Sequence, residues 1–304
     1  MDLRKVAIAI LLLFVVAACG GDDGGSSGPG SPGGSAQGTF LDAVVAGLGY
    51  TSGTTSSVTD SLGRFTFVRG SGVTFRIGDI AFGQGSAKFI MTPVDLVPGA
   101  LDESHAHVVN RARFLLTLDD DGVTTNGIRI TQAVRGSALG RSVNFDQTMN
   151  DFEADTGAQQ VVSVLTAQTS AGQRPLVSVV QAQVHLQLTL LGIITGLYGG
   201  DYYADVSAAG QGRELTQGQR LGEWFFAIDA NANLSGALRP IGGGQIDLTG
   251  VANSSGAFEA AGAGGLFFAG RITIDPAQDI LRIEDGIWFQ TSQGSGTFTG
   301  EKQD

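Results

Sequence analysis

The chain has 304 residues, a formal net charge of −11 and a sequence pI near 4.6. Beyond Lys5, lysine occurs only at Lys88 and Lys302, so no basic cluster is available to meet phosphates, and a nucleic-acid partner is excluded. The 47 glycines follow no G-X-Y period, which excludes collagen and suits a turn-rich β protein.

Arg4 and Lys5 precede an uninterrupted apolar run over residues 6–18, which stops at Cys19, the only cysteine. A cationic start, a short apolar core and small residues before a cleavage point are the parts of a secretory signal. The run is shorter than the roughly 20 apolar residues a membrane-spanning helix needs. Val16-Ala17-Ala18-Cys19 resembles the lipobox of bacterial lipoproteins. That resemblance implies cleavage before Cys19, a diacylglyceryl thioether on its sulfur and acylation of the new amine. At about 0.8 kcal/mol per buried CH₂, several acyl chains would hold the protein firmly to a membrane. The competing reading is an ordinary cleaved signal with an incidental cysteine. With Gly20 in place of the aspartate that retains such lipoproteins at the inner membrane, the lipobox resemblance further implies the outer membrane of a two-membrane cell, surface-exposed or periplasm-facing. Residues 1–18 are therefore expected to be a signal peptide, and residues 19–38 a lipidated cysteine with a Gly/Ser/Pro tether too polar to fold alone. The G-x-S-x-G pattern from Gly24 to Gly28 lies inside this tether, without the strand-turn-helix elbow a hydrolase requires.

Three sections follow, and together they predict a mainly β protein with a helical insert (α+β). Residues 39–98 carry β-branched and aromatic runs at 41–45, 64–68, 72–77 and 88–91, separated by Gly- and Asp-rich turns, as in a β-sandwich-like module. Residues 99–195 change period. Val108, Ala112 and Leu115 recur at helical spacing, as do Phe145, Met149 and Phe152, with Asn144 or Ser142 as the expected cap. Val180, Val184, Leu188 and Leu191 form the longest stripe and predict one buried helix face, with His185 and Gln181 on the polar side. Residues 196–304 return to alternation: Trp224, Phe226 and Ile228 share a face, and Gly-x-aromatic recurs at Gly222, Gly256, Gly286 and Gly296. Seven or eight strands fit, enough for an antiparallel meander or small barrel.

Residues 59–67, a polar turn closing on Gly63 before Phe65 and Phe67, resemble an element of carboxypeptidase-regulatory-like β-sandwich modules. A longer pattern comprises a strand ending Ile77-Gly78-Asp79, a Thr92-Pro93-Val94-Asp95-Leu96 step, a helix from Asn110, and Asp119-Asp120-Asp121-Gly122 closed by Asn126-Gly127-Ile128. It resembles a poorly characterised adhesin-like module of bacterial secreted and outer-membrane lipoproteins, for which no activity is established. The resemblance covers about a third of the chain.

Asp119, Asp120, Asp121 and Asn126 are the candidate metal ligands. Carboxylates crowded on one turn repel each other unless a hard cation sits between them, and Ca²⁺ takes six to eight such oxygens. Val123 at the third ligand position and the lack of a closing glutamate rule out an EF-hand, and a solvated helix-terminating turn is the competing reading. Residues 229–236 also space oxygens at every second position, but Leu234 stands where a calcium loop needs glycine, so a plain hairpin turn is favoured. His105 and His107 would diverge by about 200° on the expected helix and share no ion, whereas on a strand they would face one way and could. No nucleophile signature accompanies the three histidines and no phosphate-cradling loop carries a lysine, so no catalytic residues and no certain cofactor are assigned. The sequence thus predicts a lipid-anchored envelope protein, adhesin-like, meeting a protein or surface ligand. The alternative is a periplasm-facing barrel that carries a small apolar ligand or binds a protein partner. A filled barrel favours the first reading and a hollow one the second.

Overall fold

A computed structural model of the chain describes residues 33–205, 218–276, 278–291 and 294–303. The signal, the lipobox with Cys19 and the tether up to residue 32 lie outside the described residues.

The chain enters the fold through β1 (Ser35–Phe40), which takes in the last four residues of the expected tether. Gly38 permits this, because a Cβ there would lie 2.6 Å from the Phe65 ring on the neighbouring strand. β2 (Val45–Ala46), β3 (Gly49–Ser52), β4 (Thr55–Val58), β5 (Arg64–Val68), β6 (Gly72–Ile77), β7 (Ile80–Ser86) and β8 (Ile90–Met91) follow. Two small sheets result, in the orders β5-β1-β8 and β4-β3-β6-β7. The expected strand over residues 41–45 is instead a tight turn, with Leu41 bridged to Val44 and Ala43 at a φ of 55°. Within residues 51–55, one of the expected turns, Gly53 and Thr54 connect β3 to β4 as a hairpin.

The helices α1 (Ala106–Thr117), α2 (Gln132–Ser137), α3 (Met149–Ala154), α4 (Thr156–Thr166) and α5 (Val179–Ile194) share one core with these sheets, together with the short strand β9 (Ile128–Arg129). The sections at 39–98 and 99–195 are thus not separate packing units. Val108, Ala112 and Leu115 of α1 are buried as expected, against a cluster that includes Phe40, Phe75, Phe82 and Phe145. Thr148, not Asn144 or Ser142, caps α3, accepting from the Asp151 amide at 3.1 Å.

The α5 stripe is reversed over its first three members, while the fourth, Leu191, is half-buried against the barrel core. Val180, Val184 and Leu188 are 67 %, 49 % and 48 % exposed, while Ala182, Leu186, Thr189, Leu190 and Ile194 are buried. The helix is apolar on nearly all sides, so its sequence leaves two faces possible, and contact with α1 and the β1–β2 turn selects the one carrying Thr189 and His185.

The C-terminal section is a closed eight-stranded antiparallel barrel in meander order. Its strands are β10 (Gly196–Ala204), β11 (Arg220–Ile228), β12 (Asn233–Pro240), β13 (Ile246–Ala252), β14 (Ala257–Gly262), β15 (Leu266–Asp275), β16 (Ile280–Gln290) and β17 (Gly294–Gln303). β10 pairs with β17 from Leu197 opposite Gln303 to Ala204 opposite Gly296, which closes the ring. The barrel has its own core, joined by Ile194 at the end of α5. Two further ties cross to the first core: Arg69 Nη2 meets Asp279 Oδ2 at 2.7 Å, and Lys302 Nζ donates to the Ile193 carbonyl at 3.4 Å.

Candidate functional site

Alternation along the barrel strands sends Tyr198, Tyr202, Trp224, Phe226, Phe258, Phe268, Trp288 and Phe298 inward, and none is more than 5 % exposed. Trp224 stacks on Phe226 with centroids 4.9 Å apart, and Phe268 lies 4.4 Å from Phe298. The polar edges are satisfied by backbone carbonyls. Trp288 Nε1 donates to Tyr203 O at 2.8 Å, Trp224 Nε1 to Asp201 O and Thr299 O at 3.2 Å, and the Tyr198 hydroxyl to Ile194 O at 2.8 Å. Burial pushes the Tyr202 phenol up to about 12 and the Tyr198 phenol higher still, so both remain neutral. The Gly-x-aromatic habit now has a cause. In β17, Gly296 and Phe298 both face inward, and a Cβ on Gly296 would stand 2.5 Å from Trp288 Nε1. Glycine makes the room that the neighbouring strand's ring occupies, and the interior is filled.

The outer wall is different. Phe267 faces Phe289 across the β15–β16 ladder and Ala269 faces Ile287, with Ala261 and Thr297 on the flanking strands. Phe267, Ile287 and Phe289 are 39 %, 53 % and 50 % exposed. No charged side chain interrupts this group, and Glu259 marks its margin. The sequence did carry a signal for it: in Leu266-Phe267-Phe268 and Ile287-Trp288-Phe289, unbroken apolar triplets on a strand must send one or two members outward.

The acidic turn begins where α1 ends. Asp119 Oδ1 accepts the Arg129 amide at 2.9 Å, and a short contact from Arg174 reaches the Asp119 carbonyl. Asp120 turns the other way. Its Oδ1 accepts the Ser170 amide at 3.0 Å, its other oxygen pairs with the Arg129 guanidinium, and its carbonyl takes the Ser170 hydroxyl and Ala171 amide, both at 2.8 Å. Asp121 Oδ1 accepts the Val123 amide at 2.8 Å and Oδ2 accepts Asn126 Nδ2 at 2.9 Å. Burial raises the Asp119 carboxyl above its ordinary range, and the neighbouring Asp121 carboxylate raises it further against the opposing Arg129 amide. The hydrogen bond from Asn126 is the main cause that holds Asp121 low. Burial also pushes Asp120 up, but the Ser170 amide and Arg129 outweigh it and leave the carboxyl low. The fold therefore brings Asp119, Asp121 and Asn126 together and diverts Asp120 to a structural role. Among the described residues, no three His, Cys, Asp or Glu side chains converge on one point.

The Asp229 turn is a hairpin loop. Asp229 Oδ1 accepts the amides of Asn231 and Asn233 at 2.9 and 2.8 Å. His105 is the N-cap of α1, accepting the His107 amide at 3.3 Å. Because it stands outside the helix, its ring meets that of His107 edge-on, centroids 4.9 Å apart. His185 is not on a solvent face. Its Nε2 lies 3.2 Å from the Asp42 carbonyl and 3.6 Å from Asp42 Oδ1. Asp42 is fully buried with neither carboxylate oxygen hydrogen-bonded, and no local pattern in the sequence singles it out. Burial drives the two groups in opposite directions, Asp42 well up and His185 down, so both favour their neutral forms.

Comparison with family models, curated proteins and solved structures returns no match.

Proposed function

We propose that the protein is a lipid-anchored, surface-displayed binding protein of the cell envelope, adhesin-like and without catalysis. The barrel carries this reading: its interior is packed with aromatic side chains and its outer wall presents Phe267, Ile287 and Phe289 to solvent. A filled barrel leaves no lumen for a small apolar cargo, which weighs against the carrier alternative. Contiguous apolar side chains exposed on a wall mark contact with another macromolecule. The occupant that fits is a flat, uncharged, apolar protein surface, because the patch lacks charge in a chain with a net charge of −11. Lipid on Cys19 would hold one end while the tether gives reach to the domains beyond.

Protease treatment of intact cells tests it. Loss of the full-length band from intact cells is expected, with protection when Cys19→Ser leaves the protein soluble inside. Complete protection until the outer membrane is opened would overturn surface display and restore the periplasm-facing role.

A further inference from the structure

Beside α4 the first half of the molecule carries a cleft of about 500 Å³, the size of a small-molecule site. It lies between the last turn of α3, one face of α4 and the segment that leads on to α5. Val162, Pro175 and Leu176 give it an apolar side, and Val162 and Leu176 tie that side to the first core. The polar rim is Glu153, Gln159, Ser163, Gln173 and Arg174. Gln159 and Ser163 stand four residues apart, so they share a face of α4 with Val162.

The donors of this rim are turned into the protein. Arg174 donates from Nη1 to Thr169 Oγ1 at 3.0 Å and to Gly172 O at 3.2 Å, and from Nη2 to the Asp119 carbonyl. Gln159 Nε2 donates to the Glu153 carbonyl at 2.6 Å, and because a carbonyl can only accept, that bond fixes which end of the amide is free. Gln173 Nε2 donates to the Ser163 hydroxyl. One oxygen of the Glu153 carboxylate meets Arg113, a guanidinium only 1 % exposed that also donates to Val177 O at 2.8 Å. The rim is therefore left with three acceptors, Gln159 Oε1, Gln173 Oε1 and Glu153 Oε1, and with the proton of the Ser163 hydroxyl.

That set discriminates among ligands. A cation would meet Arg113 and Arg174 against the single carboxylate of Glu153. An anion would meet carbonyl and carboxylate oxygens, and an apolar molecule would strip water from them without replacing its hydrogen bonds. A neutral hydroxyl both donates to such oxygens and accepts from Ser163. We infer that this cleft binds a neutral sugar, its hydroxyls on the glutamine and glutamate oxygens and its C–H face on Val162, Pro175 and Leu176. A ring of about a dozen heavy atoms at ordinary ligand efficiency binds with a Kd of about 1 mM. The inference rests neither on surface display nor on the barrel wall, which belongs to the other core.

The test is saturation-transfer NMR with calorimetry on the full chain, solubilised in a detergent without a sugar headgroup. The probes are glucose, galactose, mannose and N-acetylglucosamine, each free and as its methyl glycoside, with glucosamine and glucuronate as charged comparators. At least one neutral sugar should bind with a Kd of about 1 mM, and the charged comparators about tenfold more weakly or not at all. A preference for the methyl glycoside marks a residue within a glycan and a preference for the free sugar a soluble monosaccharide, and both uphold the inference. Gln159→Ala and Gln173→Ala, each at an exposed side chain, should keep the parental circular dichroism and weaken binding by about tenfold. Absence of saturation transfer from every neutral probe at about 20 mM would overturn the inference. So would parental affinity in a folded Gln159→Ala, Gln173→Ala double variant, or glucosamine or glucuronate binding as tightly as the neutral sugars.

Discussion

The two cores of this protein are built by opposite rules. In the barrel every strand pairs with its neighbour in sequence except at the closing seam, and the interior is chiefly aromatic and aliphatic, with Asp275 and Gln290 buried at the ends of β15 and β16. In the first half, β1 lies between β5 and β8, β3 pairs with β6, and β2 pairs in parallel with β9 from far along the chain. Polar groups are buried there in number: Asp42, Asn110, Arg111, Arg113, Asp119 and Asp120. Their partners come from remote segments. Arg111 donates to Phe82 O at 2.8 Å, and Arg113 donates to Val177 O at 2.8 Å while contacting Glu153. A meander can be held by apolar burial alone, whereas non-local sheets leave backbone groups at their margins that buried side chains must satisfy. The barrel should therefore respond to lost volume, and the first half to lost hydrogen bonds and to pH.

Both tryptophans lie in the barrel, so their fluorescence reports one core, while helical circular dichroism reports the other. The largest effect is expected from Phe268→Ala, which removes a fully buried ring at the barrel centre and should cost about 3–5 kcal/mol. Denaturant titration should show the fluorescence transition moving far and the helical one little. Equal movement of both would mean that the two cores unfold as one. Arg111→Ala should do the reverse. It strips donors from the carbonyls of Phe82 and His107, at about 2–3 kcal/mol, and the helical transition should shift alone.

The Asp42–His185 contact gives the first half its pH dependence. The carboxyl of Asp42 is raised in the fold, so its contribution is complete below its ordinary value near 3.8 and is lost as pH rises through the raised one. His185 is lowered in the fold, so its contribution is complete above about 6.5 and is lost as pH falls through the lowered value. Asp42 thus makes helical stability fall as pH rises above about 3.8, and His185 makes it fall as pH drops below about 6.5, while the barrel signal stays flat. Asp42→Asn should remove the decline on the alkaline side, a gain on the order of 1 kcal/mol there, and leave the acid side in place. A parental alkaline decline in that variant would place the titrating group elsewhere. The smallest effect belongs to Val184→Gln. If the α5 stripe faces solvent, stability should change by less than about 0.5 kcal/mol, whereas a buried stripe would lose several times that.

The same contrast governs what could be read from sequence. Trp224, Phe226 and Ile228 alternate on a strand whose partners are adjacent, so local pattern sufficed to anticipate a meander or barrel. Val180, Val184 and Leu188 recur at helical spacing as cleanly as any buried stripe, yet the buried face was chosen by α1 and the β1–β2 turn, which lie far away in sequence. In the acidic turn, residue type grouped Asp119, Asp120, Asp121 and Asn126 alike, and it could not show that Asp120 turns away to Ser170, 50 residues downstream. Asp42 was invisible for the same reason.

The seam between β10 and β17 has a consequence in time. The strand that completes the ring is the last of the eight to leave the ribosome, so seven strands must wait, unclosed and with a free edge, for the final stretch Gly294–Gln303. Until that stretch is released the barrel stays open along one side, so its closure is a late and single step in the life of the chain.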